Sequence, residues 1–255
     1  MKRLFCILLV TTLALPAFSQ PFIERSVARA ETQIQAMVDK LAFTRALPRS
    51  IDDKTGEFAT TGIRDWVSGF FPGVLWRMYE VTGDHKWSTY ARVWTAGLEP
   101  LRNYTANHDI GFMVGCSFGN GYRLTGDTAY IQLIADAAES PCTLYNAKVG
   151  LRKSWEWTKD GQYPVIIDNM LNLELLFMAS RLTGDMKYYD IAVSHADKTM
   201  ANHFRADNSS WHVVDYDPSN GKVRWKRTHQ GYSDDSAWSR GQAWAVYGYT
   251  MCYRE

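Results

Sequence analysis

Two aspartates in this chain stand where a carboxyl group has something to do besides meet water. Asp168 follows Val165-Ile166-Ile167 and precedes Asn169-Met170, a charge set directly against branched apolar residues. Asp109 lies in Asn107-His108-Asp109-Ile110-Gly111-Phe112-Met113, where a short polar patch meets an apolar run at a loop-to-helix junction. Both positions also suit helix N-caps, and capping is the commoner role of an isolated aspartate at a helix start. The two roles are compatible. Carboxylates that share a confined site cannot both ionise easily, so one keeps a proton near neutrality and the pair can act as general acid and base on a sugar. The separation that distinguishes retaining from inverting displacement is not written in the sequence.

A second polar cluster comprises His212, then Thr228-His229-Gln230-Gly231-Tyr232, then Ser239-Arg240-Gly241-Gln242-Ala243-Trp244. A guanidinium at a helix start with histidine and glutamine donors close by is suited to hold a carboxylate in one orientation. A surface arginine that pairs locally is an equal reading of the same residues. The 10 tryptophans and 14 tyrosines are many for 255 residues. Any one of them belongs more often to a core, but as a set their polar-tipped rings point to a cavity that faces carbohydrate.

The elements that must position these residues are announced by a repeat. Thr-Gly-Asp occurs at 82–84, 125–127 and 183–185, each time after an apolar helix-like run and before an aromatic residue. The glycine sits where a helix takes a left-handed terminal residue, and the aspartate where the next helix takes its N-cap. The spacings fit helical hairpins with loops of different lengths, and the longer loops are where chemistry belongs. Helices are expected near 22–43, 68–82, 86–101, 112–124, 129–145, 170–182, 187–204 and 237–253, several with apolar residues three and four apart, as in Leu171, Leu175, Met178, Ala179 and Leu182. Between 206 and 235 the pattern changes to two short strands around the Asp217-Pro218-Ser219-Asn220-Gly221 turn, an insertion read as an active-site loop. No linker divides the chain, so one domain is expected over 20–255. The last helix presents Trp238, Ala245, Val246 and Tyr249 for burial with nothing after it, the reading of an incomplete chain.

Residues 1–19 read as a cleaved secretory signal: Lys2 and Arg3, an apolar run from Leu4 to Leu15 too short to span a bilayer, then Ala17-Phe18-Ser19. An exported protein, periplasmic or secreted, is expected. Cys6 lies inside the apolar run, which argues against a lipid anchor. The full chain carries 28 basic and 27 acidic residues, and loss of Lys2 and Arg3 keeps it near neutral. That balance leaves no footprint for nucleic acid or an anionic membrane. The remaining Cys116, Cys142 and Cys252 allow at most one disulfide and have no metal-type spacing, so no metal or other cofactor is expected.

Five segments in order resemble one family. Asp-Trp-Val-Ser-Gly-Phe-Phe-Pro-Gly (65–73), His-Asp-Ile-Gly-Phe (108–112), Asp-Asn-Met-Leu-Asn (168–172), His-Gln-Gly (229–231) and Ser-Arg-Gly-Gln-Ala-Trp (239–244) are similar to unsaturated glucuronyl hydrolases, glycoside hydrolase family 88. The resemblance implies an all-α fold, an (α/α)6 toroid of helical hairpins, here truncated at about eight of twelve helices. It implies a substrate left by a polysaccharide lyase, with a C4=C5 double bond in its terminal uronate. By the same resemblance Asp168 protonates C4 and assists water addition at C5, and the hemiketal then opens to release the remaining sugar. Asp109 tunes the proton affinity of Asp168 and contacts ring hydroxyls. His212, His229, Gln230 and Arg240 hold the uronate carboxylate and water, Trp66 and Trp244 pack on the sugar, and His108 orients Asp109 or meets substrate. Trp155 and Trp157 are candidates for the adjoining subsite. An unsaturated rhamnogalacturonyl hydrolase is a close alternative, and a non-catalytic sugar-binding toroid a distant one. The parent polysaccharide and the oligomeric state are left open.

Overall fold

The computed structural model describes residues 20–155, 158–159 and 161–255. The expected signal segment and Trp157 lie outside them. Among the described residues nine α-helices follow one another: α1 (Gln20–Leu41), α2 (Phe70–Thr82), α3 (His85–Ala96), α4 (Ile110–Val114), α5 (Asn120–Thr125), α6 (Ala129–Thr143), α7 (Asn169–Thr183), α8 (Met186–Asn202) and α9 (Ser239–Arg254). The run expected as one helix over 112–124 is α4 and α5 joined by a π-helical turn at Gly115–Gly119. Such turns interrupt the α-helical ladder by one residue and are frequent beside functional sites. The segment expected to continue α3 is instead a 3-10 turn at Glu99–Asn103, with Pro100 near its start.

The three Thr-Gly-Asp turns are built as one device. Gly83, Gly126 and Gly184 have φ of 70°, 66° and 77°, the left-handed conformation that a Cβ disfavours. The threonine hydroxyl donates back to the helix it ends, as from Thr82 to Met78 O (2.7 Å) and from Thr183 to Ala179 O (2.8 Å), and accepts the N–H of the aspartate that follows. Asp84 and Asp185 then cap α3 and α8 through the N–H groups of Lys86 and Lys187, each 2.9 Å away. Asp127 does the same for Ala129 and also pairs with Arg92. The turns thus fold α2 against α3 and α7 against α8. Asp84→Ala and Asp185→Ala should each lower the free energy of unfolding by about 1 kcal/mol, measured by urea titration.

Burial of the apolar faces joins the hairpins. Leu75, Trp76, Trp87, Leu98, Leu101, Met113, Ile134, Leu173 and Leu176 lie in one continuous core, with the Trp76 indole donating to Thr95 Oγ1 at 3.0 Å. Helix α7 is packed on both sides, against α6 and α9, as well as against α4 and α8. It is apolar nearly all round, which is the pattern of an interior helix.

The expectation of an all-α chain is corrected by three small antiparallel sheets among the described residues. Strands β1 (Leu47–Ile51) and β2 (Phe58–Thr61) form one, and β3 (Tyr145–Asn146) and β4 (Leu151–Arg152) a second. The third has the order β5 (Tyr163–Ile166), β6 (Val213–Tyr216), β7 (Val223–Arg227). Two of its strands are the pair expected around the Pro218 turn. The third, β5, is the branched apolar run before Asp168, buried at each position and closed over a satellite core of Val149, Leu151, Val165, Val214 and Tyr216. Its register decides the site. Ile166 pairs with Val213 and Val213 with Arg227, so the residues just past one sheet end are Ile167-Asp168, His212 and Thr228-His229-Gln230. The Ile167 N–H donates to His212 O at 3.0 Å and continues the ladder to the carboxylate.

Candidate active site

Asp168 and Asp109 occupy the positions preceding α7 and α4, yet neither side chain caps its helix. Capping accounts for neither carboxylate. Helix α7 instead reaches across to the segment that carries Asp109. Asn172, one turn into α7, donates through Nδ2 to Asp109 Oδ1 at 3.0 Å and accepts the Phe112 N–H through Oδ1 at 3.0 Å. Asn169 accepts from His108 Nδ1 at 2.8 Å and donates to Ser154 Oγ and Arg152 O. Because Asn169 Oδ1 must accept there, His108 carries its proton on Nδ1, which also lies 3.4 Å from Asp109 Oδ1. Burial, reinforced by the charge of Arg152, keeps the His108 ring below its ordinary basicity, with Asp109 pulling the other way. His108 is buried, bonded to Asn169 on one side and within reach of Asp109 on the other.

This clamp needs a glycine. A Cβ on Gly111 would stand 2.6 Å from Asn172 Cα and 2.7 Å from both Asn172 oxygens. Gly111→Ala should push α4 off α7, open the bond from Asn172 to Asp109, and cost about 1–3 kcal/mol by overpacking. A lower thermal midpoint is expected, whereas Gly115→Ala, with nothing within 4 Å of its Cβ, is the control.

Asp168 is the perturbed acid. Its side chain is 15% exposed, and burial first, then the negative charge of Asp109, raise its carboxyl from 3.8 to about 7. A helix N-terminus favours the anion, but by under about 1 kcal/mol at ordinary exposure, and here it loses to burial. Arg240 pulls weakly in the opposite sense, as does the Trp244 indole, which faces the carboxyl without closing a hydrogen bond. His212 Nε2 stands 3.7 Å from Asp168 Oδ2. Its Nδ1 accepts the backbone N–H groups of His229 (3.0 Å) and Gln230 (3.3 Å), so the ring is neutral with its proton on Nε2. Burial, with His229 and Arg240 adding to it, lowers that ring to about 3. Asp168 Oδ2, His212 Nε2 and Trp244 Nε1 are each buried without a protein partner. Three such atoms in one place mark where a polar ligand belongs.

Aromatic rings surround these groups. The Trp238 ring lies 4.2 Å from His212, and Trp155 lies 6.3 Å from His212 and 5.0 Å from His229. Trp155 therefore joins the site. Arg240 rests 4.4 Å over Trp238 and donates through Nη2 to Gln230 Oε1. Phe112 bridges Trp66 (6.0 Å) and Trp244 (5.7 Å), with Phe70 packed edge-on against both Trp66 and Phe112. All nine expected site residues are thus drawn to one end of the three-stranded sheet and the adjoining starts of α4, α7 and α9. Asn169, Asn172 and Arg152 were not among the expected site residues, although both asparagines stood inside the motif at 168–172, and Trp238 was expected only on a buried helix face. Among the described residues no group of three or more His, Cys, Asp or Glu is placed to hold a metal ion. Cys116, Cys142 and Cys252 are free thiols.

The sequence profile described as Glycosyl Hydrolase Family 88 matches residues 40–255. The chain belongs to glycosyl hydrolase family 88. Among its relatives, an unsaturated glucuronyl hydrolase of Formosa agariphila is 43% identical over 234 residues, 91% of this family 88 chain and 58% of the relative. An unsaturated chondroitin disaccharide hydrolase of Streptococcus agalactiae is 33% identical over 237 residues, covering 91% of this chain and 59% of the relative. The crystal structure of an unsaturated glucuronyl hydrolase specific for heparin superimposes with a TM-score of 0.86 at 41% identity, over 92% of this chain and 62% of that one. The family 88 chain thus spans about three-fifths of the length of the curated relatives it matches. Its helical hairpins are those of the family fold, with the small sheets set between them.

Proposed function

We propose that this protein is an exported unsaturated glucuronyl hydrolase that clears unsaturated uronyl di- or oligosaccharides left by polysaccharide lyases. The observation that carries the reading is the buried Asp168 carboxyl, still protonated near neutrality beside the second carboxyl of Asp109 and opposite unpartnered His212 and Trp244 nitrogens. An enol ether is activated by protonation at carbon, and Asp168 is the acid for C4. The positive charge that then develops at C5 and the ring oxygen is stabilised by the carboxylate Asp168 has become. Water adds at C5 and gives its proton back to Asp168. The resulting hemiketal opens, and the neighbouring sugar leaves without a covalent enzyme intermediate.

The remaining residues fit a uronate. Arg240 and Gln230, locked to each other over Trp238, present a guanidinium and an amide to a carboxylate. His212 offers one N–H beside Asp168, Trp66, Trp155 and Trp244 offer ring faces to the sugar, and Asp109 and His229 meet hydroxyls at the rim. The names of the relatives support substrates from glycosaminoglycans, and the apolar run at 4–15 supports export.

The test is turnover of a defined lyase product in heavy water, followed by mass spectrometry and NMR. One deuterium at C4 is expected. Decay of the enoate absorbance without deuterium at C4 would remove the protonation step, and constant absorbance on prolonged incubation would leave a sugar-binding protein. Faster decay of an unsaturated rhamnogalacturonan disaccharide than of an unsaturated chondroitin one would move the protein to the alternative substrate class.

A further inference from the structure

Arg152 is the largest charge in the interior that the mechanism above does not use. It sits at the end of β4, fully buried. Its Nη2 donates to His108 O and its Nε to Pro141 O, both at 3.2 Å, while Nη1 has no partner. Its backbone is tied as well: the carbonyl accepts Asn169 Nδ2 at 3.1 Å, and the N–H donates to His195 Nδ1 at 3.0 Å. The side chain thus holds the segment before α4 and the end of α6 together, and the backbone of the same residue adds the start of α7 and helix α8. A buried charge without a counter-charge costs several kcal/mol, so the source of its compensation matters.

Three groups favour its ionised form: Cys142, Asp109 and Tyr163. Burial pushes the Cys142 thiol up to about 11 and the Tyr163 phenol further, so both are neutral near pH 7. Asp109 remains as the counter-charge. The histidines that face Arg152, His108 and His195, are both held neutral by burial and by the guanidinium itself. On its other side Asp109 faces Asp168, which in turn faces His212 and Arg240. Asp109 therefore stands between a buried cation and a second carboxyl.

We propose that Arg152 assigns the single proton of the aspartate pair: its buried positive charge, fixed to the His108 carbonyl, keeps the negative charge on Asp109 and leaves the proton on Asp168. Arg152 is a positioning residue, since it acts through Asp109 and reaches no substrate atom. The inference rests on Asp168 as the proton donor. Without the guanidinium the two carboxyls compete for one proton, and Asp168 loses part of the repulsion that keeps it protonated.

The experiment is a carbon-13 NMR titration of the aspartate carboxyls in the substrate-free protein, for the parent, Arg152→Gln and Arg152→Lys, with thermal melts and pH-rate profiles alongside. In the parent the proton is expected on Asp168 up to about pH 7, with Asp109 ionised through that window. In Arg152→Gln the Asp168 midpoint should fall by at least about 0.5 unit, with Asp109 taking up proton in the same range. Arg152→Lys keeps the charge and should keep the parent midpoint. Lower melting of both variants with the Asp168 midpoint unmoved in Arg152→Gln would reduce Arg152 to a structural tie and overturn the proposal. If Arg152→Gln does not fold, the parent titration decides, since a proton found on Asp109 rather than Asp168 at neutral pH overturns it equally. The titration needs no turnover, so an inactive protein with the expected titration would sink the enzymatic reading and leave the proton assignment standing.

Discussion

Asp168→Asn is expected to slow turnover of an unsaturated uronyl disaccharide by about 10³-fold or more while leaving its binding nearly unchanged. The amide has the shape of the protonated acid and keeps the contacts facing His212 and Trp244, but it cannot give a proton to carbon or take one from water. Loss therefore falls on the chemical step, and a kcat decrease at constant KM is the signature. Enoate absorbance measures it directly. Turnover of the variant at the parent rate would remove the acid role from Asp168. The parent should also lose rate above about pH 7, where Asp168 ionises, by tenfold per unit in the limit. Asp109→Asn acts differently: it removes the second cause of the raised Asp168 value, so that limb should move to lower pH.

The sequence made the hairpins legible because their turns are local. Gly83, Gly126 and Gly184 need a left-handed backbone, and the threonine and aspartate around each close bonds within a few residues. The nine candidate residues stood out for another reason. Asp109 and Asp168 sit in polar patches against apolar runs, and most of the others stand in the short motifs that carry the family resemblance. What the chain did not show was the third strand, β5, that joins the expected pair into the sheet that gathers them. Strand β5 is a run of four buried residues without alternation, and such a run reads as easily as the approach to a helix. Only its pairing with Val213–Tyr216, nearly 50 residues on, reveals it. Arg152 was hidden in the same way, since an arginine in a polar stretch gives no sign that four separate elements will close over it. Asn169 and Asn172 show the limit from the other side: their motif was visible, but that they clamp His108 and Asp109 depends on Gly111 letting α4 approach α7.

The same Asp168→Asn substitution should stabilise the fold in alkali. In the unfolded chain the carboxyl releases its proton near 3.8, and in the folded protein near about 7. Between those values the native state holds a proton that the unfolded state has lost, so the free energy of unfolding falls as pH rises through that window. Above about 7 the deficit is complete, and about three units correspond to about 4 kcal/mol, an upper figure for a side chain that keeps some contact with water. Asparagine has no charge to bury and escapes the penalty. Urea unfolding at pH 8.5 should therefore show the variant more stable than the parent by about 2–4 kcal/mol, with the gap closing towards pH 4. The buried histidines act with the opposite sign: His203 and His212, lowered to about 3 in the fold, destabilise it as pH falls below 6.5 because the unfolded chain takes up their protons. They are common to both proteins and cancel from the difference. An equal gain at pH 4 and pH 8.5 would mean that packing rather than charge is relieved, and would contradict a proton held on Asp168. A gain confined to alkali shows the stability given up to keep Asp168 protonated, the cost expected of a residue proposed as the acid.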